Sequence, residues 1–174
     1  MNRVRGKGKM LAPPTAGISE KLVEKSGRYV IFTLDEQRYA LHLSAVERIV
    51  RAVEVTPLPR APEIVLGIIN MQGRIIPAVN IRRRFHLPER EIDLSDQLII
   101  AHTAKRTVAL VVDEVVDVIE HARHEVVPTQ QVLPGVKYVE GVVKLEDGMV
   151  LIHDLDKFLS LEEEKVLDKA LEKT

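Results

Sequence analysis

From Tyr29 onward, short apolar runs alternate with polar turns at the spacing of β-strands. YVIFTL, then DEQR, then YAL reads as a hairpin. IVLGIINMQGRIIPAVNI gives two apolar runs around a Gln-Gly turn, and Gly67 within it marks a bulge or a close backbone approach. QLIIAHTAKRTVALVV predicts another hairpin with AKR at its tip, and VVPTQQVLPGVKY a loop. GVVKLEDGMVLIHDL predicts a last hairpin, with Asp147-Gly148 as a type I′ turn. SAVERIV stays open between two readings. Ser44 as a cap with Val46, Ile49 and Val50 at helical spacing fits a short helix, and a strand fits as well. Pro57, Pro59 and Pro62 forbid a long helix after it, and LPEREIDLSD is a polar connection. Only SLEEEKVLDKALEKT reads clearly as helix, with a Ser160–Glu163 capping box and an apolar face of Leu161, Val166, Leu167 and Leu171.

The chain also resembles itself. At an offset of 69, Ala40-Leu41 matches Ala109-Leu110, Leu43 matches Val112 and Val46 matches Val115. At an offset of 74, Gly67-Ile68-Ile69 matches Gly141-Val142-Val143, Ile81 matches Leu155 and Leu87 matches Leu161, with the turn between the strands shifted by one residue. Both halves run hairpin, short connector, hairpin. This order predicts an all-β fold of two small barrels with short connecting helices and a C-terminal helix over 162–174. Neither half is large enough to be comfortably stable alone, so a shared apolar core is expected between them.

Composition narrows the chemistry. Hydrophobic residues make up 45% of the 174, but aromatics only 3% and tryptophan none, so the core must be Val, Ile and Leu, which favour strands. The absence of cysteine excludes disulfides, thiolate metal ligation and a cysteine nucleophile. With 25 basic against 26 acidic residues, no global charge draws in nucleic acid or an anionic membrane. No apolar run approaches the roughly 18 residues of a membrane span. MNRVRGKGKMLAPPTAG is basic but lacks the apolar stretch of a secretory signal, which points to the cytoplasm without membrane insertion. Residues 1–26 are rich in Gly, Pro, Lys and Arg and are expected to form a flexible basic tail, with Arg3, Arg5, Lys7 and Lys9 solvated.

A search for reactive groups returns little. Ser19, Ser26, Ser44, Ser95 and Ser160 fall at loop or cap positions, no G-x-S-x-G elbow exists, and neither glycine-rich phosphate motif is present. His121 and His124, beside Glu120 and Glu125, have a metal-like spacing, but a charged surface loop accounts for them, and no metal or cofactor is expected. Asp113, Glu114, Asp117 and Glu120 are interleaved with valines as on a polar strand edge. Arg82-Arg83-Arg84, with Arg74, is the basic concentration that a nucleic-acid-binding barrel would use. Only Phe85 adjoins it, where a stacking platform needs several aromatics, so a solvated turn with Phe85 anchored inward is the plainer reading. The residues alone therefore describe a two-barrel protein without catalytic groups.

The string NMQGRIIPAVNIRRRF resembles the hallmark of the CheW family of chemotaxis coupling proteins: Asn, an apolar residue, Gly, apolar residues with Pro, and a basic turn. YVIFTLDEQRYALHLSAVERI is similar to that family's first hairpin and connector, VALVVDEVVDVI to its Val-Asp-x-Val strand and GMVLIHDLDKFL to its closing strand. The resemblance spans Tyr29 to Leu161 and places a CheW-like domain over 27–161. It implies five-stranded SH3-like barrels and a non-enzymatic adaptor that joins chemoreceptor cytoplasmic tips to the regulatory domain of the histidine kinase CheA. It further implies a receptor- and kinase-binding surface at Val46, Arg48, Gly67, Gln72 and Val118. Core packing accounts equally well for Val46 and Val118, and backbone conformation accounts for Gly67 better than binding does. The family often carries Arg where Gln72 stands and an acidic residue where Arg48 stands, so the adaptor role carries over but the identity of the receptor or kinase does not.

Overall fold

The computed structural model describes residues 26–122, 125–128 and 137–174, and the expected tail lies outside them but for Ser26. Eleven strands are described: β1 (Ser26–Leu34), β2 (Gln37–His42), β3 (Val46–Arg51), β4 (Val65–Met71), β5 (Arg74–Val79), β6 (Gln97–His102), β7 (Thr107–Val112), β8 (Glu114–Ala122), β9 (Val126–Pro128), β10 (Val139–Leu145) and β11 (Gly148–His153). The helices among these residues are α1 (Ile81–Arg84) and α2 (Leu161–Glu172), with 3-10 turns at Leu43–Ala45 and Leu155–Lys157. The strands form two sheets, ordered β8-β1-β2-β11-β10-β9 and β3-β6-β7-β5-β4.

Apart from β9, the two orders are the same order, and the sequence offsets are its register. β3 pairs with β6 as Val46↔Ala101, Arg48↔Ile100 and Ile49↔Ile99, while β8 pairs with β1 as Val115↔Phe32, Asp117↔Ile31 and Val118↔Val30. The bulge falls at the same step in both. The repeats are nonetheless interleaved. The parallel pairings Ala78↔Ala109 and Ile152↔Ala40 join the second hairpin of one half to the first hairpin of the other. Each sheet thereby contains residues from both halves, a feature the offsets alone do not reveal.

Three apolar clusters follow. Ile69, Ile76, Ala78, Leu98 and Ile100 fill the five-stranded sheet, and Tyr29, Ile31, Val143, Val150 and Ile152 the six-stranded one. The largest cluster includes Phe32, Leu41, Ile99, Leu110, Phe158 and Leu167, and is the expected shared core. Beyond β3, Thr56 exchanges both backbone hydrogen bonds with Ile68 of β4 at 2.8 Å, bringing the two outer strands of the five-stranded sheet together. Gly67 makes that crossing passable. A Cβ there would stand 2.8 Å from the Thr56 carbonyl carbon and closer still to its oxygen. Gly141, its counterpart, underlies β9 in the same way, where a Cβ would meet the Val127 carbonyl oxygen at 2.9 Å. The bulge expected at Gly67 lies between Val65 and Gly67.

One open reading is decided and two local expectations are corrected. SAVERIV forms a 3-10 turn and strand β3; the bulge after Val46 lets Val46 and Ile49 share a face, which imitates helical spacing. The last hairpin turns at Glu146–Asp147 rather than Asp147–Gly148, because Leu145 pairs with Gly148. That keeps Val143, Val150 and Ile152 buried, and a one-residue slip would expose them. The turn therefore does not shift between the halves. Both left-handed turn positions that a type I′ hairpin requires occur instead at Asp35–Glu36 and Gln72–Gly73. In α2, Leu161 and Val166 are exposed, whereas Glu164, Leu167 and Ala170 are buried. The helical repeat places Glu164 on the core stripe, where Arg106 Nε donates to its Oε2 at 2.9 Å. The expected capping box is present: the Glu163 N–H donates to Ser160 Oγ at 3.1 Å and the Ser160 N–H to Glu163 Oε2 at 2.7 Å.

Candidate functional site

The five positions singled out by resemblance occupy three kinds of place. Val46 opens β3, half-buried against the shared core. Arg48, just past the bulge, and Gln72, in the β4–β5 turn with φ of 54°, are exposed. Gly67 is buried at the Thr56 crossing. Val118 lies on β8, the end strand of the other sheet, with half its surface open to solvent. Val46, Arg48, Gly67 and Gln72 thus belong to the five-stranded sheet and Val118 to the six-stranded one.

Register shows what unites them. β3 and β8 are the corresponding end strands of their sheets, and Ile49 and Val118 hold equivalent places, both exposed apolar side chains. Their flanks carry opposite charge. Arg48 and Arg51 on β3 correspond to Asp117 and Glu120 on β8. The sequence reading did not single out Ile49, Arg51, Asp117 and Glu120 as a set, although the offset of 69 contained the signal. An exposed apolar strip bordered by charge is the composition of a protein interface rather than of a reaction centre.

Behind β3, Glu47 gathers cations. Arg74 Nη1 donates to Glu47 Oε1 at 2.7 Å, and His102 Nε2 lies 3.0 Å from Oε2. The Arg74 hydrogen bond holds the Glu47 carboxyl below its ordinary range against a smaller cost of desolvation, with the charges of Arg74, His102 and Arg48 adding to the effect. Arg74 is therefore paired, and Arg48, at 3.8 Å from Glu47, is the more available cation.

The basic triplet is not a free patch. Arg82 is buried and donates to Asp35, Asp113 and the Pro88 carbonyl. Arg83 pairs with Glu63 and Glu89, and Arg84 Nη2 with Glu163 Oε2 at 2.5 Å. Burial of Arg82, where a solvated turn was expected, follows from the two carboxylates converging on it. Phe85 is anchored inward, its ring 4.9 Å from that of Tyr39 and 4.3 Å from that of His153. This arrangement does not favour nucleic-acid binding through Arg82–Arg84.

Of the histidine pair, His124 lies outside the described residues, and His121 Nδ1 is 2.7 Å from Glu125 Oε2. Among the described residues, no group of three His, Cys, Asp or Glu side chains is arranged to hold a metal ion. Among them too, no helix is long and apolar enough to cross a membrane. Asp113 is a hub of ion pairs rather than part of an exposed edge, while Glu114, Asp117 and Glu120 are exposed on β8.

Comparison with known proteins agrees with this picture. The profile of the CheW-like domain matches residues 28–163. Chemotaxis protein CheW of Treponema pallidum (strain Nichols) is 31% identical over 140 residues, covering 77% of this chain and 82% of that protein. Chemotaxis protein CheW of Rhizobium meliloti (strain 1021) is 30% identical over 146 residues, covering 82% and 94%. In three dimensions the fold resembles the scaffolding protein TtCheW from Thermoanaerobacter tengcongensis, with a TM-score of 0.71, 30% identity and coverage of 79% of this chain and 90% of that one.

Proposed function

The chain belongs to the CheW-like domain family, a family of chemotaxis scaffolds rather than enzymes, and from that membership we propose that it couples chemoreceptors to the regulatory domain of the histidine kinase CheA in the cytoplasm. The observation that carries this reading is the pair of equivalent strands β3 and β8. Each presents an exposed apolar residue between charges. Binding surface without chemistry is what an adaptor needs.

In this reading Val46, Arg48, Gln72 and Val118 contribute to partner contact, and Gly67 acts by letting the Thr56 strand cross. Arg48 gives β3 a cation where the resembled pattern often has an acid, which fits a partner with acidic residues at that contact. The test is a pull-down and calorimetric titration of the protein against a CheA regulatory domain and a receptor cytoplasmic-tip fragment. Saturable binding to both is expected. Failure to bind either one would overturn the coupling role.

A further inference from the structure

The internal repeat lets one half of the molecule be read against the other. At the offset of 74, Asn80, Ile81 and Arg82 after β5 correspond to Asp154, Leu155 and Asp156 after β11. Asn80 and Asp154 even share a role, each accepting a backbone N–H of the turn it opens. At the offset of 69, Asp35 at the β1–β2 tip corresponds to Ala104 at the β6–β7 tip, and Asp113 corresponds to Ser44.

The two places are filled differently. In the first, the Arg82 guanidinium occupies the junction, with Nη1 donating to both Asp35 oxygens at 2.9 Å and Nη2 to Asp113 Oδ1 at 2.7 Å. In the second, the cation is gone. Asp156 stands at the arginine's position, and Ser44 and Ala104 stand where its two carboxylate partners would be. One link survives with its polarity reversed: the Ala104 N–H donates to Asp156 Oδ1 at 2.7 Å. A cleft of about 190 Å³ opens there, its walls including Leu41, His42, Ser44, His102, His153 and Asp156.

His153 is an independent sign that something belongs in this cleft. It is 1% exposed, and its Nδ1 has no hydrogen-bond partner among the described residues. Buried polar atoms are satisfied in the great majority of cases, so an orphaned one on a residue that lines the cleft points to a missing partner.

We propose that this cleft binds a guanidinium group, a ligand supplying the buried cation that this half of the repeat lacks, with Asp154 and Asp156 as its carboxylate acceptors. The nearby charges favour a cation. His42 is held by Glu140 at 2.7 Å, His102 by Glu47 at 3.0 Å, and Lys157 meets Asp154 only at 3.6 Å. Burial pushes the His153 pKa down to about 3, so its ring is neutral and supplies an acceptor at ordinary pH. A planar fork of five N–H donors matches a carboxylate and a ring nitrogen better than a compact ammonium does. Free arginine and an arginine side chain in a polypeptide both carry this group. The inference stands independently of the adaptor reading.

The experiment is a heteronuclear NMR titration of the whole protein with N-acetyl-arginine methylamide, with free L-arginine, and with the matched lysine derivative. Saturable shifts at Ala104, His153 and Asp156 are expected with an arginine compound, and weaker ones with the lysine derivative. Asp156→Asn should weaken binding by about tenfold or more, whereas Asp147→Asn, at a distant ion pair, should leave it unchanged. Should Asp156→Asn fold poorly, Ser44→Leu, which obstructs the cleft from another wall, should abolish the same shifts. Binding of the blocked derivative alone assigns the group to a polypeptide, and binding of free arginine alone assigns it to the amino acid. Absence of saturable shifts, equal response to the lysine derivative, or indifference to both cleft variants would overturn the proposal.

Discussion

Arg82 Nη2 lies 2.7 Å from Asp113 Oδ1, tying the turn after β5 to the point where the chain leaves β7 for β8. The same guanidinium reaches Asp35 in the β1–β2 turn, so one side chain links the two sheets. Asp113 also receives the Asp35 N–H at 2.8 Å and Arg90 Nη2 at 2.6 Å. Desolvation alone would raise the Asp113 pKa; the Asp35 N–H and the two arginines outweigh it and hold the carboxyl below its ordinary value. Removing the buried cation leaves carboxylates short of a partner, so Arg82→Met should cost roughly 3 kcal/mol. Arg83→Met, at a side chain 40% exposed, should cost far less. Urea denaturation of the two variants checks the contrast, and equal losses would contradict it.

His153 sets a pH dependence of definite sign. Its folded-state pKa is depressed by burial from 6.5 to about 3, so between those values the unfolded chain binds the extra proton. The neutral ring is therefore no liability above pH about 6.5, and stability falls as the solution is acidified toward pH 3. From pH 7 to pH 5 this group alone should remove about 2 kcal/mol. His153→Phe, which keeps a ring among Tyr39, Phe85, Tyr138 and Phe158, should show a correspondingly flatter profile. Urea midpoints at the two pH values measure the difference, and parallel profiles would refute the assignment.

Much of this architecture was legible in the residues because burial imposes period and register. The hairpins, the pseudo-repeat, the shared core and the Ser160 cap all rest on local patterns that the fold obeys. What escaped detection depends on distant partners. The interleaving of halves is created by the parallel pairings Ala78↔Ala109 and Ile152↔Ala40, which leave no local trace. Arg82 looked like its two neighbours because its burial is decided by Asp35 and Asp113, 47 and 31 residues away. The opposed charges of β3 and β8 were present in the offset, yet their meaning required knowing that both strands end their sheets.

Gly67 offers a test of the strand crossing. An alanine Cβ there would be driven against the Thr56 backbone, which is pinned by two hydrogen bonds to Ile68 and cannot yield as a flexible side chain would. Gly67→Ala should cost about 2 kcal/mol or more. Gly73 gives the comparison, since a Cβ there meets nothing within 4 Å and only its φ of 86° resists substitution. Gly73→Ala should cost roughly 1 kcal/mol. Thermal and urea unfolding rank the two, and a milder effect at Gly67 would contradict the packing argument.

Partner binding should separate the two strands by their charge. Arg48→Glu reverses an exposed cation that shares Glu47 with Arg74 and His102, so it adds an acid beside an existing one. Stability should change by less than about 1 kcal/mol, because the side chain is half exposed and its pairing is long. Association through β3 should slow, and its dependence on salt should change, as expected for a charge that steers encounter. Val118→Asp acts differently. It places a charge on the exposed apolar residue of β8, where desolvation on binding would be costly, so dissociation should accelerate with less change in salt dependence. Rate measurements of both variants against the receptor fragment and the kinase regulatory domain, over a range of salt, distinguish the effects. If neither variant alters either rate while both remain folded, the partner surface lies elsewhere than on β3 and β8.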